Sequence, residues 1–227
     1  MGYPQHYSRD LPQRCMHLVD QLWPIVAKGE GAGEFGGPLT TTFLMSLAAP
    51  MLVLPFERIV LQANHDPRIP SYANDRDIDA DLTARLKHDL PGRFDSKSFF
   101  QKGSWSVVET EEDYFNLADR LPDRITHELA QDQAFDRAAS TDTLSLLAGL
   151  RNALSHGGVA YLDKNGQTTD GQVAMLAFVS ARMKGDGDER RAVGLRIVRV
   201  SEEAFRDFLR GWVSWLSKRP AKIVGEH

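Results

Sequence analysis

Apolar positions recur along this chain with two periods, and the change between them divides it. In the first two-thirds they fall at helical spacing. Residues ~10–28 place Leu11, Leu18, Val19, Leu22, Trp23, Ile25 and Val26 on an amphipathic helix, with Pro24 expected to bend or split it. Residues ~39–63 read as a second long helix, apolar on several sides as at the centre of a bundle. Its most apolar stretch, Phe43–Phe56, is expected to be too short to span a bilayer, and Pro50 and Pro55 point to a kinked core helix. Residues ~111–132 read as a helix bearing Tyr114, Phe115, Leu117, Leu121, Ile125 and Leu129, kinked at Pro122. A stronger helix follows over residues 140–158.

From Val159 the period shortens to two. Val159–Leu162, Val173–Ser180 and Val193–Val200 predict a small antiparallel sheet of two or three strands. Asp163-Lys164-Asn165-Gly166 contains the Asn-Gly pair of tight hairpins, and Lys184–Arg191 reads as a charged turn. The last helix starts at Ser201, with Glu202 and Glu203 in its first turn and Phe205, Phe208, Leu209, Trp212, Val213 and Leu216 on its buried face.

The intervening stretches are less regular. Gly29–Gly37 reads as a flexible connection: it has no Gly-Lys-Ser/Thr, and Glu30 and Glu34 would repel phosphate. Asn74–Asp81 reads as a solvated helix start before Leu82 and Leu86. Phe94, Phe99, Phe100 and Trp105 are expected to be buried under a long loop. The fold expected is mainly α, a helical bundle with a small antiparallel β-hairpin or sheet (residues 159–200) inserted before the C-terminal helix. It would be one domain over 1–227, with a mobile tail at 219–227.

Composition narrows the function classes. Hydrophobic content of 42% and charged content of 26% suit a globular protein, and the formal net charge of −4 argues against a protein that coats long duplexes. The single cysteine, Cys15, allows no intrachain disulfide and suits a reducing, cytoplasmic setting. The start, MGYPQHYSRD, lacks a basic-then-apolar signal pattern, and His6 stands where a myristoylation signal wants a hydroxyl. No membrane association is expected. The seven histidines are scattered, without His-Glu-x-x-His or a cysteine pair, so no metal or other cofactor is expected.

The candidate chemistry lies in STDTLSLLAGLRNALSHGG, residues 140–158. Ser140, Thr141 and Asp142 offer N-cap oxygens, and Gly157-Gly158 supplies a left-handed stop. At ~100° per residue, Thr143, Leu147, Leu150 and Leu154 form a core stripe. The opposite side holds Ser145, Ala148, Gly149, Asn152, Ala153 and His156, small enough around Gly149 to admit another helix. Ser145, Ala148, Gly149 and Asn152 are therefore the expected dimer interface. Asn152 and His156, at i,i+4, would orient one another. Arg151 lies ~140° and ~7.5 Å from His156 on one helix, so the two would converge only across two copies. The bland alternative is that His156 caps its own helix and Arg151 bridges to an acid on a neighbouring one.

Arg151-Asn152-Ala153-Leu154-Ser155-His156 resembles the signature of the HEPN superfamily, an Arg followed after four to six residues by His, often beginning Arg-Asn. The spacing recurs at Arg58…His65 and Arg120…His127, so context singles out the third copy: Asn152 follows the Arg, and the motif ends a strong helix before Gly157-Gly158. The segment from LRNALSHGGVAYLDKNG through AFVSAR to LRIVRVSEEAFRDFLRGWVSWL, about residues 140–218, is similar to a bacterial HEPN group with a hairpin insert. The resemblance implies a homodimeric, metal-independent endoribonuclease of toxin–antitoxin or defence systems, with Arg151 and His156 catalytic and Asn152 in support. An antitoxin or other defence protein would be its partner.

The residue types fit that reaction. Attack of a ribose 2′-OH on its own phosphate needs a proton carrier and charge stabilisation, and imidazole and guanidinium supply these. Arg182, Lys184, Arg190, Arg191, Arg196 and Arg199 form the most basic run. Arg182, Lys184, Arg190 and Arg191 are the candidate RNA contacts, against a plainer reading of the same run as a solvated hairpin tip. The alternative function is a catalytically inactive HEPN module that binds RNA, nucleotide or a protein partner.

Overall fold

A computed structural model describes residues 6–29, 33–35, 37–60, 80–118, 120–185, 189 and 191–218. Among them the chain forms α1 (Tyr7–Lys28), α2 (Thr40–Pro55), α3 (Ala80–His88), β1 (Trp105–Glu109), α4 (Asp123–Leu129), α5 (Asp132–Ser140), α6 (Thr143–His156), β2 (Val159–Leu162), β3 (Met175–Lys184), β4 (Arg191–Ser201) and α7 (Glu202–Ser217). The fold is mainly α with a small antiparallel sheet, as the two periods predict. The proposed tail at 219–227 and most of Asn74–Asp81 lie outside the described residues.

The sheet is larger and more central than an inserted hairpin. Its order is β1-β4-β3-β2. The edge strand β1 comes from the stretch expected to be loop, and it pairs with β4 from Trp105↔Val200 to Glu109↔Arg196. Side chains on neighbouring strand positions point to opposite faces. Trp105, Val107, Leu176, Phe178, Val198 and Val200 join a core with α1, α2, α6 and α7. Val108, Ala160, Leu162, Ala177 and Ile197 join a second cluster with Leu121, Ile125, Leu129 and Ala134. The sheet is thus a middle layer with helices on both faces. Buried on both sides, β1 shows no apolar/polar alternation for a sequence reading to detect. Phe94, Phe99 and Trp105 are buried as expected and Phe100 is half-buried: Trp105 meets Phe208 at 4.9 Å between ring centroids, and Phe99 meets Trp212 at 5.7 Å.

Three further expectations are corrected. Helix α1 runs unbroken through Pro24 to Lys28 and ends at left-handed Gly29 (φ 67°). No helix occupies the described residues of 111–122. Pro122 sits extended (ψ 140°) just before α4, starting that helix rather than kinking one. The β2–β3 connection runs over residues 163–174 instead of a two-residue turn. Its first residue, Asp163, accepts the N–H groups of Asn165 and Gln167, which hold its carboxyl below the usual range.

Helix α2 continues into a wider π turn at Phe56–Val60. The combined helix, Thr40–Val60, has 21 residues and is long and apolar enough to cross a membrane by length and composition, contrary to the shorter stretch read from sequence. Inside this fold it is a core helix. Leu44, Ala48, Met51 and Leu52 are buried, α2 touches α1, α6 and α7, and its Met51 carbonyl accepts the Trp212 indole N–H at 2.9 Å.

Helix α6 lies between α2 and the sheet. Asp142 is its N-cap: one carboxylate oxygen accepts the Ser145 N–H at 3.0 Å and the other the Gly92 N–H at 2.9 Å. The cap thereby ties α6 to the loop after α3. Asp142→Ala should cost about 1–2 kcal/mol, read as a lower urea midpoint with an unchanged slope.

Candidate functional site

The motif residues leave α6 in different directions. Arg151 faces α2: its Nε is 3.2 Å from Glu57 Oε1, and its guanidinium carbon lies 5.5 Å from the Phe56 ring centroid. The Glu57 carboxylate is off the N–H axis, so the pair is electrostatic without a formed hydrogen bond at Nε. The two terminal nitrogens of Arg151 donate no hydrogen bond to a described residue. This is the bridge to a neighbouring acid that the plainer reading foresees.

His156 is the last residue of α6 and is exposed. Its ring has no hydrogen-bond partner among the described residues, and neither does the Asn152 amide. The i,i+4 pairing expected between them is not formed. His156 also does not cap its helix: Gly157, left-handed at φ 70°, closes α6 through its own N–H to the Ala153 carbonyl. Gly158 then approaches β3 so closely that a Cβ there would lie 2.3 Å from the Val179 carbonyl oxygen. The two glycines therefore do different work.

The small-residue face also has a different neighbour from the one expected. At Gly149 an added Cβ would stand 3.3 Å from Ser180 Oγ and 3.6 Å from Arg196 Cδ. Ser145 uses its carbonyl to accept Arg196 Nη1 at 2.8 Å. The close approach that Gly149 permits is thus to the chain's own sheet, and Gly149 and Ala153 are buried. Ala148 and Asn152 border an open groove of about 450 Å³ between α6 and the far ends of β3 and β4. The predicted trio is therefore split within one chain: Arg151 toward α2, Asn152 on the groove, and His156 at the exposed helix end.

The family model described as HEPN pEK499 p136 matches residues 1–222. The chain belongs to this HEPN family. Searches of curated proteins and of solved structures gave no match. The family match extends the likeness from the Arg151–His156 region to the whole helical scaffold, including α1–α4, which carry no diagnostic motif of their own.

In this HEPN chain the basic run does not form one surface. Arg199 points to the opposite face from Arg196, because the two are three apart on β4. It is buried, donates Nη2 to the Leu129 carbonyl at 2.6 Å, and has its guanidinium value lowered by that burial. Arg182, Arg196 and the exposed Lys184 line the groove, and Arg191 stands exposed beyond them. Arg190 lies outside the described residues. Glu109 holds the pair of arginines: Arg196 Nε donates to its Oε1 at 2.7 Å, and Arg182 Nε is 3.4 Å from its Oε2. Arg182 Nη1 also donates to the Thr110 carbonyl at 2.8 Å.

Sequence reasoning missed Glu57, Glu109 and Ser180. Glu109 sits 87 positions before Arg196, on the strand that was read as loop. Only the β1–β4 register brings it there, so no local pattern reveals it. Among the described residues, no three His, Cys, Asp or Glu side chains converge on one point.

Proposed function

We propose that this HEPN protein is an endoribonuclease that needs no metal and completes its site across two copies. The observation that carries the reading is His156: an exposed imidazole, without a partner among the described residues, at a capped helix end that does not need it. Structural histidines are held by partners, whereas this one is free to exchange a proton with a substrate hydroxyl. Arg151 supplies the complementary charge. Its terminal nitrogens, which donate to no described residue, fit phosphate oxygens, with Glu57 and Phe56 holding the rest of the side chain. Within one chain the two groups leave α6 on different sides, so a second copy packed against the exposed end of α6 would bring one Arg151 to the other His156. Asn152 would then orient the substrate between them. A toxin or defence setting, with an antitoxin-type protein as partner, suits such an activity.

A second reading has one observation in its favour. Arg151 is already paired with Glu57, as a structural arginine would be, and a HEPN module that binds RNA, nucleotide or a protein without cleaving it would tolerate that pairing.

The two readings are separated by complementation in chelator. Arg151→Ala and His156→Ala should each abolish cleavage of mixed RNA. After subunit exchange, half the dimers carry both variants, and each of these has one intact site. Activity should therefore return to about a quarter of wild type. Equal cleavage by wild type and both variants would remove the site assignment. Loss without restoration would place the site within one chain.

A further inference from the structure

An anionic chain that reaches His156 needs a cationic surface beside α6. Of three cavities lined by described residues, one is bordered by Phe35, Tyr161, Asp170 and Glu202 with no cationic side chain, and it would repel phosphate. A second, about 590 Å³, mixes Arg182, Lys184 and Arg191 with Glu111 and Glu112. The groove beside α6 is different. Its lining holds Arg182, Lys184 and Arg196, the hydroxyl of Ser180 and the amide of Asn152, with no acid and no aromatic ring. Cations without a stacking surface hold a backbone rather than a base. Gly149 lies on the floor of the groove, where an added Cβ would stand 3.3 Å from Ser180 Oγ and crowd it.

We infer that this groove seats the phosphodiester backbone of single-stranded RNA next to His156, and that Glu109 is an internal counter-ion which sets how strongly it does so. This deepens the ribonuclease reading and rests on it for the identity of the anion. Asn152 stands at the groove and His156 one helical turn further along α6, about 6 Å by helical rise. A strand leaving the groove along α6 is thus delivered to the imidazole. Glu109 is outside the lining but binds both arginines that line it. It orients their guanidinium groups and cancels one of the three positive charges. Phosphate must share these arginines with Glu109, which keeps the groove from holding RNA too tightly for turnover. Contacts limited to the backbone leave affinity indifferent to base sequence.

The test uses the full chain and a fluorescent 2′-O-methyl oligonucleotide, which binds as RNA but lacks the attacking hydroxyl. Anisotropy titrations over a salt series give affinity and the salt slope together. Lys184→Gln should weaken binding several-fold and reduce the slope by about 0.7, the value of one phosphate contact on a single strand. Glu109→Gln should tighten binding several-fold and steepen the slope by a similar amount. Lys164→Gln, on the β2–β3 connection, should do neither. Lys184 is exposed and has no partner among the described residues, so its variant keeps the test decisive even if Glu109→Gln fails to fold. Binding by Lys184→Gln equal to wild type, or no binding by wild type, would overturn the groove. His156→Ala separates the two ideas: it should bind normally and not cleave. If the Lys184 and Glu109 shifts occur while His156→Ala cleaves like wild type, the catalytic reading falls and the groove stands.

Discussion

His156→Ala should lower RNA cleavage by about 100- to 10,000-fold, the range that a positioned proton carrier contributes. It should leave the melting temperature almost unchanged. The two halves of this expectation have different physical sources. The imidazole is exposed and has no partner among the described residues, and the α6 cap is made by the Gly157 N–H on the Ala153 carbonyl. Removing the ring therefore breaks no folded-state contact, and a surface change of this kind stays within about 0.5 kcal/mol. Single-turnover cleavage of labelled RNA in chelator, run beside thermal melts, reads both. Cleavage within twofold of wild type would remove His156 from the reaction. A matching fall in stability would mean that the loss of activity reports unfolding.

Gly158→Ala should be the reverse case, a substitution beside the site that acts on the fold. The new methyl would lie 2.3 Å from the Val179 carbonyl oxygen and 3.4 Å from its carbon. Both are backbone atoms of β3, so no side-chain rotation relieves the clash. Either α6 or β3 must shift, and the Val179 N–H bond to the Gly158 carbonyl, now 2.7 Å, would be strained or lost. The cost should be about 3 kcal/mol. Gly157→Ala is the informative companion. Its φ of 70° is unfavourable for a side chain, but nothing lies within 4 Å of the added carbon, so about 1 kcal/mol is expected. Denaturant midpoints of the two variants should differ clearly in that order. Similar midpoints would show that β3 yields at this point.

These paired cases also indicate what a linear reading detects. Gly157-Gly158 reads as one helix stop, and the first glycine fills that role. The second has a long-range reason, its approach to a strand twenty-one positions on, which no local rule contains. The same holds at Gly149, where the sequence asks for a close neighbour and the fold supplies Ser180 rather than a second helix. Pro24 and Pro122 show the limit from the other side. A proline marks a break in hydrogen bonding, but whether a helix continues past it, as α1 does, or begins after it, as α4 does, depends on what packs against the flanking residues.

By itself, the sequence determined the mainly helical class, the hairpin region and the final helix, because each depends on periodicity that neighbouring residues carry. It also determined α6, from its Asp142 cap to its Gly157 stop, and the Arg151-Asn152…His156 signature that α6 displays. Tertiary structure alone decided the place of β1, whose short, doubly buried strand has no period to read. It alone set Arg151 beside Glu57 and Phe56, left His156 exposed without a partner among the described residues, and brought Glu109 to Arg182 and Arg196. The physical reason is common to all of these. A helix is specified by contacts three and four residues apart, whereas an ion pair or a strand edge is specified by whichever distant segment the packed core delivers to it.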